Sequence, residues 1–124
     1  MAVASRKKVL LVEDDDSFRE AIGRLLDASD VESASYASAE ALLSDAAMTD
    51  VACVVSDLKL PGMSGLDLLA ELRTKGEWPP LILMTAHDEP GRREEARNRG
   101  AVAYLVKPFT LAQLLDAIRS AVEQ

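Results

Sequence analysis

Four stretches of the chain are apolar at almost every consecutive position: Val9-Leu10-Leu11-Val12, Val51-Ala52-Cys53-Val54-Val55, Leu81-Ile82-Leu83-Met84, and Ala101 to Val106. Runs this short and this continuous read as strands buried on both faces. After the first, second and fourth of these the period changes. Phe18, Ala21, Ile22, Leu25 and Leu26 recur at helical spacing, as do Leu66, Leu69 and Leu72 with neighbouring Leu68, and Leu111, Leu114, Leu115, Ile118 and Val122. Each set predicts an amphipathic helix with one face on a core. Val31 to Tyr36 alternates instead, as on a sheet edge, and Ser38 to Ala47 reads as a small-residue helix. Cap residues agree: Asp15 or Asp16, Ser38, Ser64 and Thr110 stand where helices begin, and Lys75-Gly76 where one ends. Trp78-Pro79-Pro80 makes a rigid entry to the fourth strand.

Five β-then-α units with near-continuous apolar strands predict an α/β fold, a parallel sheet covered by helices on both sides. The polar second strand fits at an edge. The flavodoxin-like, doubly wound order 2-1-3-4-5, with five helices, puts it there and opens a ligand crevice between strands 1 and 3. At 124 residues the chain is expected to be a single domain over 1–124.

Composition narrows the function. The net charge of −7 argues against direct binding of nucleic acid or an anionic membrane, both polyanions. No stretch approaches the ~20 apolar residues of a membrane span. Lys7-Lys8 and the residues before them lack the apolar segment of a secretory signal, so a cytoplasmic setting is expected. The single cysteine, Cys53, lies inside an apolar run and reads as a small buried hydrophobe. Met48, Met63 and Met84 read as filling.

The strand ends carry the chemistry. Strand 1 delivers Glu13 and Asp14, strand 3 Asp57, strand 4 Thr85 and strand 5 Lys107. In the expected strand order these residues share one rim. Carboxylates ~5 Å apart at an effective dielectric of ~20 repel by about 3 kcal/mol per pair. Such a site holds a proton or recruits a cation. Oxygen-only ligands suit Mg²⁺, which accepts a phosphate oxygen as well. With Lys107 and Thr85 to meet phosphoryl oxygens, Asp57 becomes a candidate nucleophile that would form an aspartyl-phosphate.

Four pieces, Leu11-Val12-Glu13-Asp14-Asp15, Ser56 to Gly65, Met84-Thr85-Ala86-His87, and Gly100 to Phe109, together resemble the response-regulator receiver domain of two-component signalling, over essentially the whole chain. The second and fourth are similar to nitrogen-fixation-type regulators, which carry a helix-turn-helix output domain. The resemblance implies that Asp57 is the phosphorylation site, fed by a sensor histidine kinase. It implies Mg²⁺ held by Asp14 and Asp57 directly, by Glu13 mainly through water, and by the Lys59 carbonyl. Lys107 would contact the phosphoryl group, with a cis bond to Pro108. Thr85 and Tyr104 would form a switch pair that changes the face of the fourth helix, fifth strand and fifth helix. A homodimer through that face, or through the first and fifth helices, would then regulate an output such as transcription. The chain stops just after the fifth helix, so no output domain is expected within it, and the subfamily resemblance favours a fragment of a longer regulator over a stand-alone receiver.

Simpler readings stand beside these. Asp15 and Asp16 suit helix capping and solvated charge. His87 suits a loop position, and Tyr104 a half-buried strand aromatic. Lys59 and His87, each two residues past a site residue, are candidates for tuning phosphoryl lifetime. A non-phosphorylated binding module would not need the intact acid–threonine–lysine set, and an Asp-nucleophile phosphatase would carry a second acid where Lys59 stands. Leu60 and Glu13 replace the commoner methionine and aspartate of the family. The segment Asp88 to Arg99 has Pro90, Gly91, Glu94 and Arg97 where apolar or helix-favouring residues are expected. It predicts a fourth helix that is short, late-starting or mobile, with order dependent on phosphorylation or a partner.

Overall fold

Alternate residues of the central strands point to opposite faces of one sheet, and each set is buried by different helices. The computed structural model describes residues 7–45, 50–76 and 79–123, so Ala47, Met48 and Trp78 lie outside the described residues. Its strands are β1 (Lys8–Val12), β2 (Ser33–Tyr36), β3 (Val51–Asp57), β4 (Leu81–Thr85) and β5 (Ala103–Val106). All pair in parallel in the order β2-β1-β3-β4-β5, as the apolar runs predict. The helices are α1 (Asp16–Ala28), α2 (Ala39–Asp45), α3 (Gly65–Thr74), α4 (Arg92–Asn98) and α5 (Leu111–Val122).

On one face, Leu10, Val12, Val54, Leu81 and Leu83 meet Leu42, Leu68, Leu69, Leu72 and Ala96 of α2, α3 and α4. On the other, Val9, Leu11, Val55, Ile82 and Met84 meet Ile22, Leu26, Leu114 and Ile118 of α1 and α5. Cys53 belongs to that second core, and burial pushes its thiol up to about 12.

Two residues of the expected stripes face solvent: Leu25 is 44% exposed and Val122 49%. In α1 the Ile22–Leu26 pair, one turn apart, takes the contact and leaves Leu25 on the flank. In α5 the buried Ala121 closes the stripe begun by Leu114 and Ile118.

The caps form as read. Asp15 accepts from the Phe18 amide at 3.0 Å, and Asp16 pairs with Arg19 at 2.7 Å. Ser64 with Asp67, and Thr110 with Gln113, make reciprocal capping boxes, which fix where α3 and α5 begin.

Helix α4 is short and starts late. Its N-cap, Gly91, sits at φ 80°, Pro90 stays outside the helix, and Ala96 is the one buried residue. So little burial leaves a low local opening free energy. Backbone amides of residues 95–98 are expected to exchange with solvent deuterium far sooner than those of Cys53 to Val55. Protection of the two segments to the same degree would contradict this account of α4.

Candidate functional site

The site lies where β1, β3 and β5 end. The Glu13 amide donates to the Tyr36 carbonyl at 3.0 Å, which carries β1 pairing one residue past the strand. Its side chain is 1% exposed and held at both oxygens: Oε2 accepts from the Asp15 amide at 3.1 Å, and Oε1 from Lys107 Nζ at 2.7 Å. Asp14, next along, is exposed at the mouth. Asp57 ends β3 nearly buried, and Lys107 Nζ lies 3.3 Å from its Oδ2. Lys107 is placed by its own amide, which donates to the Thr85 carbonyl at 2.8 Å. The Lys107–Pro108 peptide is cis, as the resemblance implies.

Oxygens of Glu13, Asp14 and Asp57 lie within 4.8 Å of one another. Three carboxylates and one ammonium leave an excess of two negative charges in a partly buried cleft. Oxygen donors with that excess fit a hard divalent cation. Burial raises the Glu13 pKa, and the nearby Asp57 charge adds to it, against the opposing bonds from Lys107 and the Asp15 amide. Burial alone would lower the Lys107 pKa, but its hydrogen bonds and charge contacts with Glu13 and Asp57 outweigh that and raise it. Lys107 is therefore held as an ammonium.

Thr85 is buried at the end of β4, one residue beyond Met84, the partner of Asp57 in the sheet register. Its Oγ1 accepts from the His87 amide at 3.0 Å, which holds the hydroxyl locally. Tyr104 is 5% exposed; its hydroxyl donates to Asp88 Oδ1 at 2.8 Å, and the Arg93 guanidinium lies 4.9 Å from the ring centre. Burial, then the bond to Asp88, push the phenol up to about 12. The side chains of Lys59 and His87 are exposed at the rim.

Several contacts that hold the site have no sequence signature. Arg19 donates to the Glu13 carbonyl at 2.8 Å. Glu40 of α2 accepts from the Met63 amide at 2.9 Å and tethers the loop after Asp57 across 23 residues of chain. Gly62 sits in that loop at φ 75°, and a Cβ there would stand 2.6 Å from Glu40 Oε2. Gly65 is tighter still. A Cβ at this position would lie 2.5 Å from the Asp57 carbonyl oxygen and 2.8 Å from Leu83 Cδ2. Alanine suits a helix better than glycine by ~1 kcal/mol. Gly65→Ala is nonetheless expected to lower unfolding free energy by about 2 kcal/mol, because the crowding involves backbone that cannot step aside. Urea titration measures it, and a variant as stable as the parent would show that the helix start has room to shift.

The fold and cleft define a class: a doubly wound α/β module with an acid–lysine site at its topological switch point. Residues 9–119 match the family model for the response regulator receiver domain. The chain belongs to that family, the receiver domains of two-component systems. It is 38% identical over 112 residues to the transcriptional regulatory protein FixJ of Azorhizobium caulinodans, covering 90% of this chain and 53% of that protein. It is 44% identical over 111 residues to the response regulator protein FleR of Pseudomonas aeruginosa, covering 90% and 24%. The chain thus spans about a quarter to about half the length of these relatives. Among solved structures, FixJ-N superposes with a TM-score of 0.84 at 32% identity, over 97% of this chain and 96% of that one. The Vibrio cholerae chemotaxis protein CheY4 superposes with a TM-score of 0.85 at 26% identity, over 94% and 99%. No helix among the described residues is long and apolar enough to cross a membrane.

Proposed function

We propose that the chain is a phosphorylation-driven switch whose acceptor is Asp57. The observation that carries this reading is the cleft itself: three carboxylates within 4.8 Å, with Lys107 bridging two of them. An Asp57 oxygen would attack the phosphorus of an N-phosphorylated imidazole on a sensor histidine kinase. The P–O bond forms as the P–N bond breaks, and its electron pair leaves with the imidazole nitrogen. Lys107 would meet one phosphoryl oxygen, and the Thr85 hydroxyl another after leaving its place near His87. Mg²⁺, when held by Glu13, Asp14, Asp57 and the Lys59 carbonyl, supplies positive charge that screens the carboxylates from the incoming phosphoryl group.

Thr85 and Tyr104 then act as the switch pair. Movement of Thr85 changes the strand next to Tyr104, and with it the α4–β5–α5 face. That face, or the α1–α5 face, is where a second copy would pair. Transcription is the output that the FixJ relative suggests. The domain is a phosphoacceptor in the cytoplasm, and its only catalysis is of its own phosphorylation and slow hydrolysis. Lys59 and His87 tune that hydrolysis; alanine at each should change the phosphate lifetime, and unchanged lifetimes would remove them from the mechanism.

The test is intact mass after incubation with Mg²⁺ and acetyl phosphate. One phosphoryl adduct is expected. No adduct would instead indicate a binding module that works unphosphorylated. Rapid turnover of unrelated phosphate esters would indicate a phosphatase.

A further inference from the structure

We infer that Phe18 is a positioning residue for Lys107, and that the face of its ring holds the ammonium in reach of Asp57. The inference rests on the switch reading above. Among the described residues, Lys107 Nζ meets Glu13 Oε1 at 2.7 Å, Asp57 Oδ2 at 3.3 Å, and the Phe18 ring, whose centre is 4.5 Å away. The ring is itself fixed. It sits in the first turn of α1, where its amide donates to the Asp15 cap. Phe109, two residues after Lys107, packs edge-on against it with centroids 6.1 Å apart and an interplanar angle of 72°. An aliphatic side chain would cover the same apolar surface but would lack the negative ring face that attracts a cation.

The ring matters because the two carboxylates are inconstant partners. On phosphorylation Asp57 loses its charge, and the new phosphoryl oxygens compete with Glu13 for the ammonium. A lysine stem has four rotatable bonds and can follow whichever anion is stronger or turn out to water. Attraction to the ring does not depend on the state of Asp57. It keeps Nζ at the cleft while the ammonium shifts from one anion to the next. Phe18 acts through Lys107.

Pentafluorophenylalanine at position 18 tests this, because it keeps the shape and apolar surface while reversing the charge on the ring face. Phe18→Leu and Phe18→Tyr accompany it. The initial rate of phosphorylation by acetyl phosphate at saturating Mg²⁺ should fall about fivefold for the fluorinated protein and for Phe18→Leu, and hold for Phe18→Tyr. In the parent, NMR should find the Lys107 ε-methylene protons moved upfield by the ring current, with Phe18→Leu restoring them to the ordinary lysine position. A fluorinated protein as fast as the parent overturns the inference, as do Lys107 ε-protons that resonate with the other lysines. A parent protein that takes no phosphoryl group at all overturns the switch reading itself, a failure visible before any substitution is made.

Discussion

Asp57→Asn is expected to take no phosphoryl group and, in the absence of divalent metal, to be more stable than the parent. The first effect follows from losing the nucleophilic oxygen. The second is a matter of competing magnitudes. Asp57 carries two repulsions, toward Glu13 and Asp14, with oxygens within 4.8 Å. Each is worth about 3 kcal/mol at an effective dielectric of ~20. Its attraction to Lys107 at 3.3 Å is worth about 5 kcal/mol on the same scale. Repulsion wins narrowly. Water at the open mouth reduces every one of these numbers, so the expected gain is about 1 kcal/mol. Urea unfolding in chelator measures it. Adding Mg²⁺ should then raise the midpoint of the parent more than that of the variant, because the variant offers one carboxylate fewer. A variant less stable than the parent in chelator would mean that the Lys107 contact outweighs the crowding of acids.

Lys107→Ala should be the most damaging single change in the cleft. It strands Glu13, 1% exposed, without its counter-charge. Removing one member of a buried pair typically costs about 3–5 kcal/mol, and the lower end applies here because Lys107 keeps some solvent contact. The pH dependence has a definite sign. The Lys107 pKa is raised in the fold, so its stabilisation is complete below the ordinary lysine value of 10.5 and is lost as pH rises through the higher folded value. The Glu13 pKa is also raised, so protonated Glu13 favours the fold below the ordinary value of 4.5, and that contribution is lost as pH rises through its own folded value. Taking away the ammonium raises Glu13 further. The deficit of Lys107→Ala should therefore be largest at neutral pH and shrink at pH 4.5. Adding Glu13→Gln to the same protein should recover most of it at neutral pH. A deficit that is the same at both pH values, and insensitive to Glu13→Gln, would assign the damage to lost packing of the lysine stem.

The strands and the charged residues at their ends were legible because both depend on short-range patterns, while the strand order followed from the polar second strand, which fits only at an edge of a known doubly wound order. An apolar run followed at once by Asp57 or Lys107 already says that a buried strand ends in a charge. Pro90-Gly91 likewise marks the late start of α4, since the first cannot continue a helix and the second accepts the left-handed backbone that precedes it. Leu25 and Val122 were misplaced for a different reason. Helical spacing gives the direction of a stripe but not its width, which the sheet edge and the neighbouring helix decide. The bonds from Arg19 to the Glu13 carbonyl and from Glu40 to the Met63 amide were invisible, because a backbone group as partner leaves no mark in the composition. Phe18 was read correctly as part of the α1 stripe. Its second role, under an ammonium, needed the fold to bring position 107 beside it.

Helix α4 buries only Ala96; Arg93 ties it to Tyr104 of β5 by a 3.1 Å bond to the carbonyl and by its place over the ring, and ion pairs add to this at the surface: Arg92 to Glu89 at 2.8 Å, Arg92 to Glu95 at 3.7 Å and Arg99 to Glu95 at 3.4 Å. Apolar contacts hold the sheet, and salt barely affects those at moderate strength. Exposed ion pairs weaken as the Debye length falls from about 10 Å at 0.1 M to about 3 Å at 1 M. The two layers of the domain therefore answer to different solvents. Rising ionic strength is expected to loosen α4 before the sheet beneath it, and amide exchange across 95–98 at 0.1 M and 1 M salt would measure that difference.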